Sequence, residues 1–209
     1  MSHSNVVIVG GGCAGISVAS RINNLKSELS ISIIEPSEQS LYQAAWTLVG
    51  AGAYNVDNTI KPMSKVMPSY VNWIKEHAEE FMPESNSVKT NNGTYTYDYL
   101  IVCPGLKINL DGVAGLKENL GKNNICTNYS AEMATYTWEC LKNLDGGTLL
   151  FTEPPMPIKC AGAPQKIAYL AADHLKKKGK LSESHLEFLC AKPVIFGLSL
   201  IHISEPTRP

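Results

Sequence analysis

Val6-Val7-Ile8-Val9 is an unbroken apolar run without polar alternation, which predicts a short strand from Asn5 that is buried on both faces. Helical spacing follows over residues 13–25, and Ile31 to Ile34 forms a second apolar run that ends in Glu35. Residues 41–52 carry helical rather than strand spacing. Val71 to Ile74 reads as a strand, Ala78 begins another, and residues 85–97 read as a polar hairpin around Asn92-Gly93. Tyr99 to Cys103 is the next apolar strand, closed by Pro104-Gly105. A second unit begins near Asp111. It holds a helix over 130–143 with Ser130 as N-cap and Glu132 near its start, and a strand over 147–151. A helix over 163–178 ending at Gly179 and a strand over 186–190 follow. Strands alternating with helices predict an α/β chain.

The turn between the first strand and first helix is GGGCAG, with Gly10, Gly12 and Gly15 at the spacing of a dinucleotide fingerprint. Gly10 permits the tight turn, Gly12 lets the backbone approach a pyrophosphate, and Gly15 lets the helix pack on the strand. The helix directs its positive end at the phosphates. Glu35 lies 25 residues after Gly10, where a carboxylate takes the ribose hydroxyls. An acid there disfavours a 2′-phosphate and so disfavours NADP; NAD and FAD stay unseparated by the fingerprint.

Composition narrows the classes. The 209 residues are 44% hydrophobic and 18% charged, with net charge -1, which suits a soluble globular chain and gives no reason to expect nucleic acid as a partner. No apolar run approaches the ~20 residues that span a bilayer, and the N-terminus carries no signal or transit pattern. The six cysteines include no CxxC pair, so no metal site is expected. Cys103, Cys140 and Cys190 read as buried thiols and Cys13 as steric filling in the glycine turn. Lys176 to Lys178 reads as a solvated helix end.

One cysteine stands apart. PMPIKCAGAPQK, residues 155–166, places Cys160 in a proline-braced loop ahead of a helix, beside Lys159 and with Pro164 as first helical residue. An ammonium and a helix N-terminus both favour thiolate over thiol, so Cys160 is the candidate reactive sulfur.

The order β-α-β, an excursion, a β-meander and a strand ending in glycine resembles the FAD domain of two-dinucleotide flavoproteins. VVIVGGGCAG, EPSEQSLYQAAWTLVGAGA, TNYSAEMATYTW and PIKCAGAPQK together resemble the sulfide:quinone oxidoreductase family, from about Asn5 to Gly197. The resemblance implies a FAD/NAD(P)-binding Rossmann-like domain over 1–110, followed by an incomplete second Rossmann-like domain over 111–198 that carries the redox cysteine. It implies FAD held by Gly10, Gly12, Cys13, Ala14 and Gly15, with Glu35 at the ribose and Gln43 near the phosphates or ribityl chain. Ala78 maps to a backbone contact in the adenine region, and Gly105 closes the site. Cys160 maps to the first catalytic cysteine, and some members carry a third cysteine near Cys126. Sulfide then attacks an oxidised cysteine bridge, the freed thiolate reduces FAD, and FAD passes electrons to a quinone. The sulfane sulfur leaves to a small acceptor.

The family's chains are longer, and their later part holds the second catalytic cysteine, the closing FAD segment and amphipathic helices for peripheral association with a bacterial or mitochondrial inner membrane. The chain as written is therefore expected to be inactive alone and cytoplasmic. Residues 199–209, SLIHISEPTRP, do not resemble the family and read as an artefactual tail. Related readings are an NADH:quinone oxidoreductase, a sulfide dehydrogenase flavin subunit, or a non-catalytic nucleotide-binding remnant. EPPMPIKCAG is not the second glycine fingerprint an NADH site needs.

Overall fold

The computed structural model describes residues 2–191. In chain order the elements are β1 (Ser2–Val9), α1 (Cys13–Leu25), β2 (Ile31–Ile34), β3 (Gln39–Leu41) and α2 (Trp46–Gly50). Next come β4 (Ile60–Pro62), α3 (Met63–Val66), β5 (Val71–Ile74), β6 (Ala78–Met82), β7 (Ser87–Thr90) and β8 (Thr94–Val102). Then follow α4 (Leu116–Asn119), α5 (Ala131–Lys142), β9 (Gly147–Glu153), α6 (Ala163–Lys177) and β10 (Ser184–Cys190). The chain divides into two units, residues 1–42 with 57–107 and residues 43–56 with 108–209. The stretch 199–209, read from sequence as a tail, lies outside the described residues.

The first unit is built on a six-stranded sheet in the order β5-β2-β1-β8-β7-β6. β5, β2, β1 and β8 are parallel neighbours, and β7 and β6 join antiparallel. β1 is central, and its alternating side chains feed two cores. Val6 and Ile8 pack with Ala19, Ile31, Ile33 and Val71 on the face covered by α1. Val7 and Val9 pack with Ile34, Ile74, Val88 and Tyr97 on the other. Ile8 and Val7 are fully buried, which explains why the run shows no polar alternation.

Two expectations change. Residues 94–102 form one strand, not a hairpin arm followed by a separate strand. The polar start of β8 pairs with β7 through Thr94, Tyr95 and Thr96, while the strand runs beside β1 from Tyr95 to Val102. The exposed Asp98 interrupts the apolar pattern without interrupting the backbone. Residues 41–52 are not one helix. β3 ends at Leu41, a 3-10 turn covers Gln43–Ala45, and α2 occupies only Trp46–Gly50. Gly52 takes φ +71°, and a Cβ there would meet the Trp138 ring at 2.5 Å, so the helix ends against that side chain.

In the second unit, β9 and β10 pair in parallel, joined by the α6 crossover. Leu141, Ile167 and Ala171 form its core with Trp138, Leu149 and Phe151. Trp46, Val49 and Ala134 bind α2 to α5. Lys178 is not a free solvated end: its Nζ donates to the Lys142 and Leu144 carbonyls at 3.1 and 2.7 Å and pairs with Asp145 at 3.0 Å. It thereby satisfies carbonyls at the end of α5. The Lys178 ammonium and its hydrogen bond hold the Asp145 carboxyl below the usual range.

Ser130 caps α5 as its sequence position predicts, its Oγ accepting from the Met133 N–H at 3.1 Å. Ser130→Ala removes that acceptor and should cost about 1 kcal/mol, read as a lowered urea midpoint with unchanged slope.

Candidate functional site

The glycine turn lies between the carboxyl end of β1 and the start of α1. Gly10 takes φ +105°, and a Cβ there would sit 2.1 Å from the Cys103 carbonyl oxygen. At Gly15 a Cβ would lie 1.9 Å from the Gly10 carbonyl oxygen. These two glycines are spent on packing: one lets β8's end approach the turn, the other lets α1 approach the strand. Gly12 differs, because a Cβ there would meet nothing within 4 Å. Its face is open, as a backbone must be to receive a ligand. Gly12, Cys13 and Ala14 are exposed, no side chain caps α1, and its first turn holds no acid. Its leading N–H groups and positive end therefore suit an anion such as a pyrophosphate.

Glu35 stands at the neighbouring strand end and is half-buried. Its carboxylate accepts from the Gly11 N–H and the Ser37 N–H, each at 2.8 Å, and its carbonyl accepts from the Trp73 indole at 2.8 Å. A carboxylate offers about four lone-pair directions, so acceptor capacity is left for hydroxyls. Gly11 was not singled out from sequence, yet it orients Glu35, and a Cβ there would press the Glu35 side chain at 2.7 Å. The signal was the third glycine in GGG. Cys103 was also missed as part of this turn. Its thiol donates to the Gly10 carbonyl at 3.7 Å, and burial pushes the thiol above its ordinary range.

The remaining first-unit candidates are backbone positions. Gly105 takes φ +80° with open space where a Cβ would lie, two residues after Cys103. Ala78 opens β6 opposite Thr90 at a register irregularity and packs half-buried against the β1 core. Cys13 is exposed rather than filling space, and Cys103, Cys140 and Cys190 are half-buried rather than buried. Gln43 belongs to the second unit, exposed in the turn before α2.

Cys160 is exposed in the loop between β9 and α6. Gly162 is the N-cap and Ala163 the first helical residue, so Pro164 is second rather than first. The Cys160 carbonyl accepts twice, from the Ala163 N–H at 3.2 Å and from the Tyr129 hydroxyl at 3.1 Å. Lys159 lies with Nζ 5.0 Å from the centre of the Trp46 ring. Burial lowers the Lys159 pKa, and the attraction of the Cys160 thiolate partly offsets that. Tyr129 is pushed up to about 12 by burial and by the Cys160 and Glu153 charges. Its phenol thus stays a protonated donor through the neutral range. Glu153, at the end of β9, is 3% exposed. The Tyr129 contact spans 31 positions, and nothing in local sequence marks it.

The family model for pyridine nucleotide-disulphide oxidoreductases matches residues 4–137. The mitochondrial sulfide:quinone oxidoreductase of Mus musculus is 38% identical over 198 residues, which is 94% of this chain and 44% of the relative. Its counterpart from Dictyostelium discoideum is 42% identical over 196 residues, 92% of this chain and 43% of the relative. Among solved structures, the sulfide:quinone oxidoreductase from the hyperthermophilic bacterium Aquifex aeolicus aligns with TM-score 0.74 at 27% identity, covering 92% of this chain and 44% of that one. The chain thus spans less than half the length of the curated relatives it matches.

Two outcomes follow from this geometry. Gly15→Ala should cost roughly 3 kcal/mol or more through overpacking against the Gly10 carbonyl, while Gly12→Ala should melt within a degree or two of the parent; paired thermal denaturation checks both. Tyr129 has a folded pKa above its ordinary 10.0, so the stability it contributes is complete below that value and is lost as pH rises toward about 12. Tyr95 is also raised, by burial, so ultraviolet titration should show several late-ionising phenols, and Tyr129→Phe should remove the one that ionises toward about 12.

Proposed function

The chain belongs to the pyridine nucleotide-disulphide oxidoreductase family, and we propose that its protein oxidises sulfide with FAD as cofactor and a quinone as electron acceptor. The observation that carries this reading is Cys160: an exposed thiol beside a helix start, with its carbonyl held by two donors and an ammonium at the preceding residue. Similarity to relatives named as sulfide:quinone oxidoreductases over 92–94% of the chain supports the substrate pair.

FAD would supply two-electron acceptance and release. Gly12, Cys13 and Ala14 would hold its pyrophosphate through backbone N–H groups and the α1 dipole, with Gly10 and Gly15 shaping the turn. Glu35 would receive ribose hydroxyls, and Ala78, Gly105 and Gln43 would contribute at the adenine, the closing strand end and the phosphate or ribityl chain. Cys160, as one sulfur of an oxidised cysteine bridge, receives sulfide. Attack forms a persulfide on one cysteine and frees the other as thiolate, and the sulfane sulfur then passes to a small acceptor. The net reaction removes two electrons from sulfide and delivers them to the quinone. The Lys159 ammonium stabilises negative charge that builds up at Cys160, and Tyr129 keeps the nucleophile's backbone in place. Membrane association belongs to this proposal. Among the described residues, no helix is long and apolar enough to cross a membrane.

The test is the flavin spectrum of the complete reading frame. Sulfide should bleach the absorbance of bound flavin in the parent, and Cys160→Ser should retain flavin but lose at least about a hundredfold in bleaching rate, as removal of a nucleophile does. Bleaching at the parental rate in Cys160→Ser would refute the role given to Cys160.

A further inference from the structure

The end of β5 carries side chains that the reaction proposed above does not use. The β2–β5 ladder stops at Ile34 and Ile74. There the Ile74 carbonyl accepts both the Glu35 N–H and the Glu76 N–H, each at 2.9 Å, so Glu76 turns back on its own strand. The Glu76 N–H is spent in that turn. The Trp73 indole takes the place of the next ladder donor and donates to the Glu35 carbonyl at 2.8 Å. Trp73 stands opposite Ile33 in the register, and side chains alternate along a strand, so Trp73 shares a sheet face with Ile33 and Glu35. Val71, two residues earlier on that face, is buried in the core under α1. Lys75 closes the arrangement. Its ammonium lies 4.5 Å from the centre of the Trp73 ring and 2.7 Å from the Glu38 carboxylate. The Lys75 hydrogen bond and charge hold the Glu38 carboxyl below its usual range, so the pair stays ionised at neutral pH. The turn after β2 is thus tied to β5 at both ends, at Glu35 through the indole and at Glu38 through the ammonium. Between them the Ser37 N–H donates to the Glu35 carboxylate at 2.8 Å. An exposed ion pair adds little stability, and what this one fixes is the position of a turn.

We propose that Trp73, steadied by Lys75, is a positioning residue for ribose recognition: it holds Glu35 so that the carboxylate selects nucleotides carrying a 2′-hydroxyl. This rests on the assignment of Glu35 to the ribose. A hydrogen bond weakens steeply away from its preferred angle, so a carboxylate discriminates a hydroxyl from its absence only when it is held in place. The Gly11 and Ser37 N–H groups hold the carboxylate itself. The indole holds the peptide that carries it, which fixes the direction from which those two bonds are made. An apolar side chain at position 73 would cover the same sheet face and leave that carbonyl without its donor.

The experiment titrates ADP and 2′-deoxy-ADP into the full 209-residue chain and reads the ratio of their dissociation constants by calorimetry. ADP carries the ribose and pyrophosphate of FAD. The parent should prefer ADP by about tenfold or more, as a hydrogen bond to a charged group allows. Trp73→Phe keeps a ring but lacks the donor, and it should lower that preference at least about threefold. A merely structural defect would weaken both nucleotides alike and leave the ratio at the parental value, and that outcome overturns the proposal. Lys75→Met changes an exposed position and should lower the ratio about twofold. It decides the matter if circular dichroism shows Trp73→Phe unfolded, and a parental ratio in it then overturns the proposal. Glu35→Ala separates the two assignments, since it should bring the ratio to about one. A ratio that falls in Glu35→Ala but stands in Trp73→Phe overturns the role of Trp73 alone. A ratio near one in the parent, or no binding of either nucleotide, removes Glu35 from the ribose and overturns this proposal with it.

Discussion

The approach of three backbone segments at Gly10 governs the first unit. β1 ends just before it, α1 starts three residues after it, and the chain leaving β8 passes within contact of the same residue. Side chains at Gly10 or Gly15 would overlap carbonyl oxygens at 2.1 and 1.9 Å, far inside van der Waals contact. Everything placed at the carboxyl end of β1 depends on that closeness. It brings the α1 positive end beside Glu35, lets Gly11 bond the carboxylate, and leaves Gly12 as an open backbone face. The cysteine thiol of Cys103 reinforces the turn by donating to the Gly10 carbonyl. The energy for holding the turn comes from β1, whose four consecutive apolar residues are buried on both sheet faces.

The second unit positions its thiol differently. Cys160 sits on a loop, and its side chain is exposed, so order has to come from the backbone. Two donors on one carbonyl and a lysine laid over Trp46 supply it. Trp46 is itself buried against α5, so the lysine is referred to a rigid core rather than to solvent. At the far end of the unit Lys178 gathers carbonyls and a carboxylate from the end of α5 and the residues after it. Except for the Cys160–Ala163 bond, these contacts join residues far apart in sequence.

What was legible in the chain had a local cause. The extent of α1, β2 and β5 followed from apolar runs bounded by glycine, proline or charge, and the N-cap of α5 from one serine three residues before the N–H it accepts. What was not legible had a distant one. β8 was split at Asp98 because a single exposed acid resembles a turn when its two partner strands are not in view. The helix over 41–52 was overextended because Gly52 meets Trp138, a residue 86 positions away. Among site residues, the glycine spacing marked Gly10, Gly12, Gly15 and Glu35, and the loop composition marked Cys160. The assistance from Gly11, Cys103 and Tyr129 arises only when strand ends and loops are brought together. Gln43 and Ala78 came from family resemblance alone, since neither carries a local chemical signal.

The central claim is that the open backbone at Gly12 is the cradle for the flavin pyrophosphate. It is tested most directly by titrating FAD into the parent and into Gly12→Ala and reading the dissociation constants. The account predicts saturable binding by the parent and a loss of about tenfold or more in the variant, equivalent to at least about 1.4 kcal/mol. Equal affinity in two equally folded proteins would contradict it.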